Sequence, residues 1–340
     1  MRQSEQHRGL VGLDIGSTSV KLVELSGQPG SFALENIAVV AVPEDASSSA
    51  YCQAISLVLE GKDLQTERVA TSISGRKVAV RGMRFPRLAD KEIAGAIRYE
   101  GSQVIAFDID DSYADHCVMK PADSHLEFMD ILFVAARKEA VDARTTLLEG
   151  AGLEPRVVGV DALVLLDALL ERDDLPETFG VVNMGAVNTS IGITREDAVP
   201  FVRDIDIAGS SYTAAIASAL SIDLEEAEKL KITGVERDPE AYRAAEGVTR
   251  RLVKELSRSL VYYQTRGNGS PVNTLFLCGG SSSLPGVREA MSELLSVEVR
   301  IWSPLDDIGI DDARFDAQAV TKLSPVASLA AALAMKQDPN

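Results

Sequence analysis

Apolar and polar positions along this chain change period several times, and each change marks an element. Residues 11–16 are an apolar run ending in Asp14-Ile15-Gly16, and alternation resumes after a small polar turn over 20–25 and 32–42. Short runs of this kind bounded by turn residues predict three strands joined by tight turns. A helix is predicted near 50–60, then strands at 69–73 and 77–85. Asp90-Lys91-Glu92 opens an amphipathic helix carrying Ile93, Ile97 and Val104, with Asp90 expected as its cap. A β-rich piece ends at 129–135, and a helix covers 138–150.

A second cycle starts after Pro155. Strands are predicted at 156–160, 179–184, 190–193 and 199–207, with a helix at 162–170 and another opened by Gly209. A charged helix spans 223–231. Val248, Leu252, Leu256 and Leu260, at steps of four, give a long helix one apolar face. A last strand, 275–278, runs into Gly279-Gly280 and a helix at 287–295. An acidic loop around 306–316 and a small-residue helix to Met335 follow.

The two cycles repeat each other. The segment from Gly12 to Ser19 aligns without a gap on that from Val181 to Asn188, so that Asp14 falls on Asn183 and Gly16 on Gly185. Two such hairpins facing one another would line a cleft suited to a charged ligand.

At 340 residues the chain predicts about two domains. Its 46 % apolar and 25 % charged content is that of an ordinary globular protein. The formal charge of −17 argues against duplex nucleic acid or an anionic membrane surface as the main partner. Cys52, Cys117 and Cys278 are far apart and are expected as reduced, buried thiols. His7, His116 and His125 have no metal-ligand spacing. No apolar leader opens the chain, and the apolar stretches at 162–170 and 326–335 are too short to span a bilayer. Metalloenzyme, secreted protein and integral membrane protein are therefore disfavoured.

The first hairpin has the chemistry of a phosphate cradle. Gly16 admits a positive φ or the close approach of an oxygen. The backbone N–H groups and hydroxyls of Ser17, Thr18 and Ser19 can donate to phosphate oxygens, and Lys21 adds a cation. Asp14, ending its strand, can hold a hydrated Mg²⁺. Taken alone the segment also reads as a surface turn, and it lacks the ending of a Walker loop. A third segment, from Leu277 to Gly286, runs from a strand through Gly279-Gly280, where a flat base has room, towards a helix N-terminus.

In this order the three segments resemble the actin-like ATPase superfamily, over roughly 10–335. The resemblance implies an α/β fold of duplicated actin-like (ribonuclease H-like) domains. Lobe 1 would cover 10–155 and lobe 2 156–335, with helices near 157–166 and 327–333 connecting them and the final helix, 325–335, crossing back. It implies phosphate contacts from Gly16, Ser17, Thr18, Ser19 and Lys21, from Gly185, Asn188 and Thr189, and from Gly209. Mg²⁺ would be held by Asp14 and, through water, by Asn183. Adenosine would lie against Gly279, Gly280, Ser281 and Leu284, clasped by Glu228 and Lys231; a solvated helix face is the other reading of that last pair.

Within the superfamily, 13–25, 96–100, 133–138, 157–161 and 254–263 resemble the PilM family of type IV pilus assembly. That likeness implies an FtsA/PilM-type small inserted subdomain at about 86–151. It further implies a cytoplasmic ATP-binding scaffold, peripheral at the inner membrane, that grips the N-terminal cytoplasmic peptide of a PilN-like membrane protein. Motor ATPases or a platform protein would be further partners, and self-association is compatible with it. The alternatives are an FtsA-like cytoskeletal protein, whose C-terminal amphipathic helix is not found in 336–340, and an active superfamily kinase or ATPase.

One departure stands out. Asn183 occupies the place of the usual phosphate-2 carboxylate, and a neutral amide pulls less on hydrated Mg²⁺ and on an attacking water. Gly209-Ser210 also replaces a glycine pair. Asp161 is the remaining candidate to orient a water as a catalytic residue, or it caps the helix after it. ATP and Mg²⁺ binding with slow or absent turnover is expected. Arg250, Arg251, Lys254, Arg258 and Arg266 form either a solvated face or a docking site for an acidic partner.

Overall fold

The structure, a computed structural model, describes residues 9–43, 47–119, 127–195, 198–266 and 270–339. His7, His125 and most of the polar leader lie outside the described residues. Three sheets organise the chain. The first contains β1 (Val11–Ile15), β2 (Ser19–Ser26), β3 (Ala33–Ala41), β4 (Arg68–Ile73) and β8 (Glu154–Val160), in the order β3-β2-β1-β4-β8. The second contains β9 (Thr178–Met184), β10 (Thr189–Arg195), β11 (Phe201–Ile205), β12 (Thr274–Cys278) and β13 (Glu298–Ile301), in the order β11-β10-β9-β12-β13. Each is an antiparallel meander of three strands extended by two parallel ones. The repeat read along the sequence is thus a repeat of topology.

A third sheet, β5-β7-β6, consists of β5 (Val78–Pro86), β6 (Ser112–Met119) and β7 (Phe128–Arg137), all antiparallel. It packs under α2 (Asp90–Val104) through Phe85, Ile93, Ile97, Ile131 and Phe133. Its membership begins at Val78, ahead of the bound near 86, because β5 pairs along its whole length with β7. Likewise β8, expected to open lobe 2 at 156, pairs with β4 and is an edge of the first sheet. Ala89, not Asp90, holds the cap position of α2, where the Glu92 carboxylate accepts the Ala89 N–H at 3.1 Å.

Two helices fill the space between the five-stranded sheets. These are α4 (Asp161–Leu169) and α9 (Ala317–Ala334); the connecting segment expected at 157–166 is strand up to Val160. Leu10 and Ala70 of the first half share one core with Val164, Leu165, Leu169, Phe179, Phe276, Leu329 and Leu333. Close contact is obligatory: a Cβ on Gly12 would fall 1.9 Å from the Ala330 carbonyl oxygen. Outer faces are covered by α1 (Ser48–Leu59) and α3 (Lys138–Gly150) on the first sheet. On the second lie α5 (Gly209–Leu220), α6 (Leu224–Gly234), α7 (Pro239–Arg266) and α8 (Val287–Leu295). Val248, Leu252, Leu256 and Leu260 of α7 are buried as their spacing requires, and Arg250, Arg251, Lys254 and Arg258 are exposed. Two of those cations pair with carboxylates of α7 itself, Arg250 with Glu246 and Arg258 with Glu255, which supports the solvated-face reading. The Arg266 side chain lies outside the described residues.

Of the three cysteines only Cys278 is buried; Cys52 and Cys117 are exposed, because α1 and the edge strand β6 turn those positions outwards. Among the described residues no group of three His, Cys, Asp or Glu side chains is placed to hold a metal ion. No described helix is long and apolar enough to cross a membrane.

Candidate functional site

Both repeated turns close in the same way. The Gly16 N–H donates to the Ser19 carbonyl at 3.0 Å, and the Gly185 N–H to the Asn188 carbonyl at 3.1 Å. The turns meet across a cavity of about 450 Å³, within the range of small-molecule sites. Its lining includes Asp14, Gly16, Ser17, Thr18, Lys21, Asp161, Asn183, Gly185, Asn188, Gly279 and Gly280. Residues that the sequence scatters over more than half the chain therefore share one space.

The two jaws differ in charge. Asp14 faces Lys21 across β1 and β2, and Lys21 Nζ lies 3.0 Å from its carboxylate. The corresponding pair on β9 and β10 is Asn183 and Ser190, both neutral. Among the described residues the buried Ser190 hydroxyl has no hydrogen-bond partner. Gly16 serves close approach rather than a positive φ: a Cβ there would lie 2.7 Å from Lys21 Nζ. Gly279 has φ +93°, and a Cβ on it would fall 2.4 Å from Asn183 Oδ1. Its role is to seat the loop against the second turn, and its N–H donates to the Pro325 carbonyl of α9 at 2.9 Å. Gly280 faces open space, as room for a flat ring requires.

Several expected ligand residues stand behind the cavity wall instead of lining it. The Gly209 N–H donates to the Gly185 carbonyl at 3.0 Å and the Ser210 N–H to the Ala186 carbonyl at 2.7 Å. The first donors of α5 are thus engaged by the second turn, and Gly209 positions that turn. Ser281 does the same, its hydroxyl donating to the Gly185 carbonyl at 3.1 Å. Thr189 is fully buried and bonds the Ile207 carbonyl. Ser19 contributes its carbonyl to the first turn but is not part of the lining. Leu284 packs against the core of the second half. Lys231 is buried and bonds Glu228 Oε2 at 2.6 Å, Thr213 Oγ1 at 3.0 Å and the Gly209 carbonyl at 3.3 Å. The pair Glu228 and Lys231 braces α6 against α5, with Lys231 buried and much of the Glu228 side chain exposed. The N-terminus of α8 is likewise outside the lining, with Gly286 pressed against the Tyr242 hydroxyl.

Asp161 is the first residue of α4, with Val160 at the cap position. Burial and the Asp14 charge push its carboxyl up to about 6, although the Ser72 and Ser74 hydroxyls and the Arg144 guanidinium work the other way. Arg144 of α3 was not singled out in the sequence. It enters the cavity wall, donates from Nη1 to the Ile15 carbonyl at 2.6 Å, and places its charge near Asp14 and Asp161. Tyr51, Lys77, Ala143 and Leu147 complete that side. No local motif marks them; a cation nearly two turns into a helix that packs beside the hairpin is the signal Arg144 leaves.

The halves are also tied directly. The Gly75 N–H donates to Asp204 Oδ2 at 2.8 Å, and Asn188 Nδ2 reaches Ser74 Oγ and Asp204 Oδ1, each at 3.4 Å. Arg76 pairs with Asp206 beside them.

The family described as type IV pilus assembly protein PilM matches residues 12–338. A solved PilM–PilN type IV pilus biogenesis complex contains a chain 30 % identical to this one, covering 97 % of this chain and 98 % of that, with a TM-score of 0.87. The ethanolamine utilization protein EutJ of Carboxydothermus hydrogenoformans shares the fold at 16 % identity and a TM-score of 0.56, over 96 % of this chain and 89 % of that. The cell division protein FtsA of Streptococcus pneumoniae serotype 2 is 22 % identical over 356 residues, which cover 89 % of this chain and 77 % of that protein.

Proposed function

The chain belongs to the PilM family of type IV pilus assembly proteins, with an actin-like ATPase fold, and we propose that it is a nucleotide-binding scaffold of that assembly. The observation that carries this reading is the single cavity closed by two matching hairpins. ATP occupies it, with phosphates between the turns at 16–18 and 185–188 and the base towards Gly280. Asp14 holds hydrated Mg²⁺, with Asn183 in the outer shell; the ion neutralises phosphate charge. Hydrolysis is slow or absent, because Asn183 supplies no charge and the Asp161 carboxylate is hemmed in by Ser72, Ser74 and Arg144.

The protein works on the cytoplasmic side, attached to the inner membrane through its partner. That partner is a PilN-type membrane protein whose short N-terminal peptide is taken up beside the three-stranded sheet. The likeness to a chain from a PilM–PilN complex supports this part of the reading.

Thermal unfolding with two ligands tests both parts. ATP–Mg²⁺ at 100 times its Kd stabilises the fold by about 2.7 kcal/mol through mass action. A synthetic PilN-type N-terminal peptide gives its own upward shift. No shift with ATP–Mg²⁺ removes the nucleotide, and none with peptide removes the partner. Turnover on the order of 1 s⁻¹ or faster contradicts the scaffold role.

A further inference from the structure

The cations on the α3 side of the cavity are unassigned by anything above. Lys21, the cation of the first turn, is engaged by Asp14 at 3.0 Å. The opposite jaw, with Asn183 and Ser190, carries none. Lys77 and Arg144 are the other two cations of the lining, and Arg144 also faces the charges of Asp14 and Asp161. Arg144 donates one N–H to the Ile15 carbonyl, and a guanidinium has several more donors in a planar fork suited to phosphate. Lys77 Nζ has Glu139 at 3.7 Å, an exposed pair that binds it weakly. Three cations and two carboxylates line a cavity in a protein of net charge −17, so the local sign is opposite to the global one.

Both residues also occupy a particular place in the chain. Lys77 directly precedes β5, and Arg144 lies on α3, which directly follows β7. They stand at the entrance to and the exit from the three-stranded sheet, where the Arg137 N–H donates to the Lys77 carbonyl at 3.0 Å. Gly279 and Gly280 follow β12 of the other sheet, so the two cations and the glycine pair belong to opposite halves of the cavity wall.

Building on the nucleotide reading, we propose that Lys77 and Arg144 form a subsite for the outermost phosphate of a nucleoside triphosphate, so that the cleft holds triphosphate more tightly than diphosphate. A base seated at Gly280 places the chain of phosphates towards the first turn and α3. The third phosphate then meets the cations that the first two do not use. Only the triphosphate grips both crossings of the three-stranded sheet.

Calorimetric titration of the full chain with ATP and with ADP, each with Mg²⁺, tests this. The protein is compared with Lys77→Gln, Arg144→Gln and Arg144→Lys. The unaltered chain binds ATP at least about tenfold more tightly than ADP, and each glutamine variant loses about tenfold in ATP affinity and much less in ADP affinity. Arg144→Lys retains part of the preference, since it keeps the charge and loses the fork. Equal affinity of the unaltered chain for ATP and ADP overturns the proposal, as does equal loss of both in the glutamine variants. Should Arg144→Gln fail to fold, Lys77→Gln decides by the same ratio, because Lys77 is exposed. Binding of neither nucleotide by the unaltered chain instead overturns the nucleotide reading, and this subsite with it.

Discussion

Asp161→Asn probes the electrostatics of the cavity floor. In the folded protein the carboxyl of Asp161 is raised from 3.8 to about 6 by burial and by Asp14. An acid whose native pKa is raised binds its proton better folded than unfolded, so its contribution falls as pH rises between those two values. Below both values the neutral acid costs nothing. Above pH 6 the ionised form opposes folding by about 3 kcal/mol, from the size of the shift. Asparagine keeps the shape and an acceptor for the Ser72 and Ser74 hydroxyls and cannot ionise. The variant is therefore more stable than the parent by about 3 kcal/mol at pH 7.5, and the advantage shrinks below pH 6 to about 0.5 kcal/mol near pH 4. Urea unfolding of both proteins in salt across that range measures the difference directly, and the subtraction cancels the titrating groups that do not interact with Asp161. A variant less stable than its parent at pH 7.5, or a gain that does not change with pH, would refute the reasoning.

Two further substitutions test other parts of the argument. Gly12→Ala drives a methyl group into the Ala330 carbonyl of α9, where backbone cannot yield cheaply; a loss of about 3 kcal/mol or more is expected, read from the urea midpoint. Asn183→Asp restores a carboxylate opposite Asp14; Mg²⁺-dependent phosphate release is expected to rise by about tenfold or more, and an unchanged rate would show that Asn183 does not limit turnover.

Much of the fold was legible because its signals are local. The limits of α3 and α8 follow from helical spacing, and the hairpin pairs at Asp14 and Asn183 follow from an ungapped repeat. Strand β13 was missed, since Glu298–Ile301 has four residues and no apolar run. The small sheet begins earlier than expected and β8, expected at 156–160 in lobe 2, joins the first sheet, because strand pairing partners are remote in sequence. Gly209, Ser281, Glu228 and Lys231, expected at a ligand, also support the second turn and its neighbouring helices. A glycine or serine that holds a turn from behind has the same local pattern as one that faces the cavity.

What the amino-acid order alone determines here is the pair of matching strand-turn-strand units, the helix faces and the neutral Asn183 where the first unit has Asp14. These depend on periodicity and on residue chemistry within a few positions, which need no partner to be expressed. Which side chains share the cavity was decided only by tertiary packing. Packing of α4 and α9 between the sheets brings the two halves together, α3 on the first sheet brings Arg144 to the first turn, α6 against α5 buries Lys231, and burial lifts the Asp161 pKa. Proximity between distant segments and exclusion of water are properties of the assembled layers, and no stretch of sequence carries them.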